Sequence, residues 1–234
     1  EKTGATTYDS TNYGVTGAKV AMGEPGATAG VISNGQFFDG SNDFLQLSSS
    51  TMSFVDGLTF SIWVNPSRSG FYERIFELNA NDNVPNSLTT LLRDNTTNNL
   101  RLLSCNAGGG SCTDVIATNA IVNNSWQLFT VTVSSTNAVV LYKDGVALTT
   151  GTLTASIPTT ARNNRFIGKS SFTGCCGDAW FLGKMDELRF SRIARSADWV
   201  RAEYLTESGS FSTYGAEEAR SWTTFDNPSV VHGT

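Results

Sequence analysis

The chain has 234 residues, with 16 Lys and Arg against 21 Asp and Glu, for a formal net charge of −5. That balance excludes a nucleic-acid surface, which needs clustered cations, while 39% apolar and 11% aromatic residues exclude wholesale disorder. No apolar run approaches the ~20 residues of a membrane-spanning helix, and Ser, Thr and Asn, roughly a third of the chain, favour strands over helices.

Residues 1–34 are rich in Gly, Ala and Thr without a sustained period and read as an irregular N-terminal arm. Glu1-Lys2-Thr3-Gly4 carries neither a start Met nor a basic-then-apolar leader, so the sequence reads as a piece of a longer precursor. Gly35–Asp39 and Asp43–Leu47 read as strands joined through the turn Gly40-Ser41-Asn42 into a hairpin. In 58–65, Leu58, Phe60, Ile62 and Val64 alternate with Thr59, Ser61 and Trp63, the period of two expected of a strand. Strands are predicted next over 74–78, 87–93 and 100–105, then over 126–133 and 138–143 as the clearest hairpin. Asp144-Gly145 makes a turn, and 165–168 and 182–190 complete the set. One helix is predicted, over 197–206: Ser196 is its N-cap, Asp198 lies in the first turn, and Trp199, Val200, Tyr204 and Leu205 form its apolar side. Residues 207–234 read as an irregular tail. A dozen strands, one helix and no βαβ alternation predict an all-β, two-sheet antiparallel sandwich forming a single domain over 1–234.

Several segments in this order resemble the laminin-G-like, concanavalin A-like jelly-roll domain of bacterial surface and secreted proteins. They are Phe38-Asp39-Gly40-Ser41-Asn42-Asp43-Phe44-Leu45, Leu58 to Pro66, Trp126-Gln127-Leu128-Phe129-Thr130-Val131-Thr132 and Val140-Leu141-Tyr142-Lys143-Asp144-Gly145. Leu182 to Arg192 carries the strongest likeness, followed by Ala194 to Val200; Asp9-Ser10-Thr11 resembles the opening segment. The tail from Ala202 to Glu218 resembles the ending of such domains in large exported proteins of the pilus-biogenesis MshQ type. One departure is Gln127, where the family often has His.

The resemblance implies a calcium site near the first hairpin and the last strand, and the residues offer hard oxygen ligands for it. Asp186 shares parity with Leu188 and Phe190, and Asp43 with Leu45 and Leu47, so each carboxylate is expected on an apolar face, where it needs a partner or a metal. With Asp39, Gly40 and Asp9 they form the candidate calcium set. The alternative is that these carboxylates cap turns or pair with Arg189 or Lys184.

Four cysteines fall in two close pairs without C-x-x-C spacing, and the sole histidine is His232, so a zinc set is excluded and disulfides in an oxidising compartment are expected. Cys105 and Cys112 would staple the loop 106–111. Cys175 and Cys176 are neighbours whose direct bond would be strained, with Gly174 and Gly177 relieving the backbone; pairing across to Cys105 and Cys112, or free thiols, are the alternatives. The candidate ligand-binding residues are Phe71, Tyr72 and Trp180 for stacking on sugar faces, Asn81, Asp82 and Asp178 for hydroxyls, and the Cys175-Cys176 knob as a platform. Core packing is the competing role for each aromatic.

A retaining glycosidase of this shape needs carboxylates ~5–5.5 Å apart, yet no Glu-x-Asp-x-x-Glu run exists. Asp186 and Glu187 alternate to opposite faces, and Gly-x-Ser-x-Gly is absent. The function expected is therefore a non-catalytic, calcium-stabilised carbohydrate-binding or adhesion module of a secreted or surface protein, with a glycan partner and further domains of a parent chain. A structural spacer or protein-interaction domain of a large adhesin is the alternative, ahead of a glycan-degrading enzyme.

Overall fold

The computed structural model describes residues 4–8, 15–22, 27–48, 54–81, 83–154, 157, 162–172 and 176–210. Among these described residues, fifteen strands and one helix follow in chain order: β1 (Thr6–Thr7), β2 (Gly17–Val20), β3 (Ala27–Ala29), β4 (Asn34–Asp39), β5 (Phe44–Leu47), β6 (Gly57–Pro66), β7 (Arg74–Asn79) and β8 (Thr89–Arg93). Then come β9 (Leu100–Cys105), β10 (Cys112–Ala117), β11 (Gln127–Ser134), β12 (Ala138–Lys143), β13 (Val146–Thr152), β14 (Asn164–Ile167), β15 (Leu182–Ser191) and α1 (Ala197–Glu207). They build two antiparallel sheets, one ordered β1-β2-β5-β14-β7-β8-β9-β10 and the other β13-β12-β11-β6-β15-β4-β3. The expected two-sheet sandwich with a short C-terminal helix is what forms.

The core lies between the sheets and follows from the alternation read above. Phe60, Ile62 and Val64 of β6 point inward, as do Phe129, Val131 and Val133 of β11, and they meet Phe76, Leu78, Leu91 and Leu102 of the facing sheet. Phe60 and Phe76 close the gap with ring centroids 4.1 Å apart. Cys105 and Cys112 face each other across β9 and β10 and are disulfide-bonded. Cys176 is also disulfide-bonded, so cross-pairing between the two cysteine pairs is excluded, as are free thiols; Cys175 lies outside the described residues.

Four expectations change. The N-terminal arm contains β1, β2 and β3, short edge-side strands whose sequence lacks the alternation that burial on one face imposes. β10 and β13 were not expected for the same reason, both being sheet edges; Val146 and Leu148 of β13 are exposed. β4 and β5 are not a hairpin, because they belong to different sheets. The turn between them is an arch in which Asp39 Oδ1 accepts the amides of Ser41, Asn42 and Asp43, while Asp43 Oδ2 accepts the amide of Asp39. Finally, Asp186 does not share a face with Phe190. The register of β15 on β6 shifts between Asp186 and Arg189, with Glu187 at φ +49°, so one extra residue reverses the parity.

The helix covers the outer face of the seven-stranded sheet. Ser196 caps it, its side chain accepting the Trp199 amide. Its inward residues are Val200, Glu203 and Glu207, rather than a purely apolar stripe. Trp63, on the outer face of β6, is buried beneath it, donating from Nε1 to Glu207 (2.6 Å) with its ring 5.7 Å from that of Tyr204.

Candidate functional site

The outer face of the eight-stranded sheet carries the site, and buried charge shapes it. Arg74 and Glu77 of β7 would be costly to bury singly. They pair at 3.0 Å, and Arg74 also holds Asp178 at 2.8 Å. Ser170 donates to Asp178 (2.7 Å), the Ser171 amide donates to Glu77 (2.8 Å), and Arg74 donates to the Tyr72 carbonyl (2.6 Å). This network pins segments 168–172 and 176–181 across β7. Asp178 therefore faces inward and holds the loop, whereas Cys176 beside it is exposed.

A second buried hub fixes the neighbouring loops. Arg93, at the end of β8, reaches Glu73, the Thr97 and Arg68 carbonyls, and the side chains of Asn98 and Asn123. Burial pushes the Glu73 carboxyl above its ordinary value; the Leu182 amide and the guanidinium groups of Arg93 and Arg68 offset this only in part. Together the two hubs set the backbone of the turn 70–73, in which Phe71 is exposed and stacks edge-on against Tyr72 at 4.6 Å. Tyr72 sits in the left-handed region at φ +46°, a strained conformation for an aromatic residue that the surrounding bonds enforce. The Ala179 amide donates to the Phe71 carbonyl, bringing the Trp180 segment alongside.

Trp180 is half-buried, its ring tilted against that of Phe44 with centroids 5.8 Å apart. Arg68 donates to the Trp180 carbonyl (2.7 Å) and to the Gly40 carbonyl (3.1 Å), so the β4–β5 arch adjoins the aromatic rim. Phe71 and Tyr72 thus lie beside the backbone that carries Trp180, and Cys176 is exposed four residues earlier in the same segment. Asn81 does not join them: it is exposed beyond the opposite end of β7, ~17 Å away at 3.3 Å per residue. Asp82 and Cys175 lie outside the described residues.

The proposed calcium ligands divide. Asp186 Oδ2 accepts the amides of Val31 and Ile32, and Oδ1 that of Glu187, which is the capping alternative. Leu182 is the β15 residue opposite Asp39, four residues before Asp186, so the two carboxylates are ~13 Å apart and one cation cannot bridge them. Asp39, Gly40 and Asp43 do lie together. Burial pushes Asp43 above its ordinary pKa, with the charge of Asp39 adding to the effect and the Asp39 amide opposing it. Burial acts on Asp39 too, but hydrogen bonds from the amides of Ser41, Asn42, Asp43 and Asp39 itself outweigh it and hold the pKa low. No group of three acidic, His or Cys side chains suited to a metal occurs among the described residues; Asp9 lies outside them. Within the described residues the arch brings two carboxylates together, those of Asp39 and Asp43.

Sequence reasoning missed Arg74, Arg93 and Phe44. The signal available was arginine within or at the end of otherwise apolar, strand-forming runs, where an unpaired charge would be costly.

The fold matches known proteins. The family described as the concanavalin A-like lectin/glucanases superfamily matches residues 39–201. Domain 4 of AbnA, a GH43 extracellular arabinanase from Geobacillus stearothermophilus, solved in complex with arabinotriose, superposes with a TM-score of 0.60 at 22% identity, over 75% of this chain and 78% of that one. The CBM40 of the Ruminococcus gnavus IT-sialidase, bound to α2,3-sialyllactose, gives 0.61 at 14% identity, over 73% and 95%. The binding domain of Paraclostridial Mosquitocidal Protein 1 gives 0.62 at 14% identity, over 85% of this chain and 49% of that chain. No curated protein matches the chain in sequence. The chain belongs to the concanavalin A-like lectin/glucanases superfamily.

Proposed function

We propose that this chain is a non-catalytic carbohydrate-binding module of a secreted or surface protein, with its glycan subsite at the rim formed by Phe71, Tyr72, Cys176 and Trp180. One observation carries the reading. Two buried ion-pair hubs hold exposed or half-exposed aromatic rings on rigid backbone, and pre-ordered rings stack on sugar faces at low entropic cost. The carboxylates close to them are engaged in scaffolding. Glu77 and Asp178 flank Ser170, yet both are buried and paired with Arg74, so they are poorly placed to reach a glycosidic bond. The binding domains among the structural neighbours support the same reading. The Cys105–Cys112 bond supports an oxidising, extracellular setting, and no helix among the described residues is long and apolar enough to cross a membrane.

Glycan-array screening followed by calorimetry tests this. A ligand of micromolar affinity is expected, and Trp180→Ala should weaken it at least tenfold, about 1.4 kcal/mol, in protein that still folds with a lowered melting temperature, because the ring packs on Phe44 while the Trp180 bond to Arg68 uses the backbone. A silent array with folded protein would favour the spacer alternative. Calcium enters this reading only at the Asp39–Asp43 arch. Chelator is then expected to lower the melting temperature of the wild type and leave Asp43→Asn unmoved; coincident wild-type curves would remove calcium from the reading.

A further inference from the structure

The turn that carries Phe71 is bonded on both flanks. On one side the Ala179 amide donates to the Phe71 carbonyl (2.8 Å); on the other the Tyr72 amide donates to the carbonyl of Asn95 (3.1 Å), in the turn between β8 and β9. The three segments lie side by side, ~10 Å across at the spacing of hydrogen-bonded backbone, which extends the aromatic rim as far as Asn95. Asn95 is exposed and sits in the left-handed region at φ +56°. Its Oδ1 accepts the Thr96 amide (2.8 Å), which orders the side chain and identifies the other amide atom as the nitrogen. Among the described residues that nitrogen, Nδ2, has no hydrogen-bond partner. An exposed side chain loses rotamer entropy when it binds a ligand, and here the bond to Thr96 has already removed part of that cost.

The groups around this turn are neutral or already paired. Ser69 and Thr96 present exposed hydroxyls, and the half-buried Asn123 donates to Ser69 (3.1 Å). Asp94 pairs with Arg101 at 3.2 Å, Glu73 with Arg93 at 3.5 Å, and Arg68 with Glu73 at 3.7 Å. Lys169, near Trp180, directs its ammonium onto rings, 4.3 Å from the Phe44 centroid, 4.6 Å from Phe166 and 5.3 Å from Trp180. A sugar lying on Phe71 therefore meets hydroxyls and an ordered amide donor at its border.

We propose that the ligand of this module is a neutral glycan, one sugar ring stacked on Phe71 and one of its oxygens accepting a hydrogen bond from Asn95 Nδ2. The inference rests on the glycan reading above and adds the substrate class and one specificity-determining residue. Stacking alone is blind to the charge of a sugar's substituents; the polar groups beside the ring set orientation and class, and beside Phe71 these are amide and hydroxyl.

The experiment titrates the whole chain with three pools of oligosaccharides matched in length, one neutral, one of uronic acids and one sulfated, at low salt and at ~0.5 M salt, where charge attraction is screened beyond a few ångströms. The neutral pool is expected to bind most tightly, with the same affinity at both salts. Asn95→Gly should weaken that binding about fivefold, the worth of one neutral hydrogen bond. Its melting temperature should stay near wild type, because glycine holds a φ of +56° without strain. Phe71→Ala should weaken binding at least as much. Wild-type affinity in Asn95→Gly, or tighter binding of either charged pool, overturns the inference, while loss of the observed binding in Trp180→Ala upholds the glycan reading. Failure of every pool to bind folded protein overturns both.

Discussion

Arg93 shows how one side chain can decide the shape of a rim it never reaches. It is almost fully buried, and burial lowers its pKa, with Glu73 opposing the shift. Its two terminal guanidinium nitrogens tie together the loops around residues 68, 97–98 and 123, while Nε faces Glu73. Replacing it with Met leaves the buried Glu73 without its closest cation, and removal of one partner of a buried pair costs about 3–5 kcal/mol. Thermal or urea unfolding of Arg93→Met should show a loss of that size, and Arg93→Lys should not recover it, since an ammonium cannot serve so many divergent acceptors. A variant within 1 kcal/mol of wild type, roughly the worth of a single neutral hydrogen bond, would show that the hub is dispensable. Gln127 makes the converse point. Where the resembling family often has His, its amide clamps residue 122 through both backbone groups, a role that needs no titratable ring.

At the scale of elements, helix α1 is a polar lid. Glu203 accepts from Ser61 (2.8 Å) and Arg189 (3.2 Å), while Glu207 meets Trp63 and also contacts Arg189. One half-exposed arginine thus serves two inward carboxylates, and Glu187 binds it as well at 2.7 Å. The helix end therefore depends on its cap. Ser196→Ala should cost about 1 kcal/mol in global stability, read by denaturant titration, and an unchanged midpoint would mean that the contacts of Val200, Glu203 and Glu207 fix the helix without the cap. The β15 bulge belongs to the same assembly. By reversing the parity after Asp186 it sends Phe190 into the core, 4.9 Å from Phe60, and leaves Arg189 facing the helix.

For the molecule as a whole, buried acids set the pH response. Asp43, Glu73, Asp144 and Glu203 all have raised pKa values, each chiefly through burial. The folded state therefore holds protons more tightly at these sites than the unfolded chain does. Their contribution to stability is complete below the ordinary carboxylate range, ~4, and is lost as pH rises through the elevated values. Asp39 acts oppositely, its contribution being lost as pH falls through a lowered value, but that window lies below the other. The melting temperature should therefore fall as pH rises above the ordinary carboxylate range, ~4, and Glu203→Gln should flatten the decline. A melting temperature that climbs with that rise in pH would contradict the assignment of buried, proton-seeking acids.

The sequence by itself determined the sandwich, because strands buried on one face must alternate, and the alternation of 58–65 and 126–133 is written in residue type. It also determined the helix and its cap, since Ser196 acts on a neighbour three residues away. The edge strand β13 carried no such mark, having no buried residue. Whether Asp39 and Asp186 meet depends on strand pairing between segments almost 150 residues apart, and the face of Asp186 depends on a single-residue bulge. The gathering of Phe44, Phe166, Lys169 and Trp180 likewise depends on which strands become neighbours. Local chemistry fixes periods and caps, whereas only tertiary structure decides which charges and rings share a site, because that is set by long-range pairing to which no single segment is sensitive.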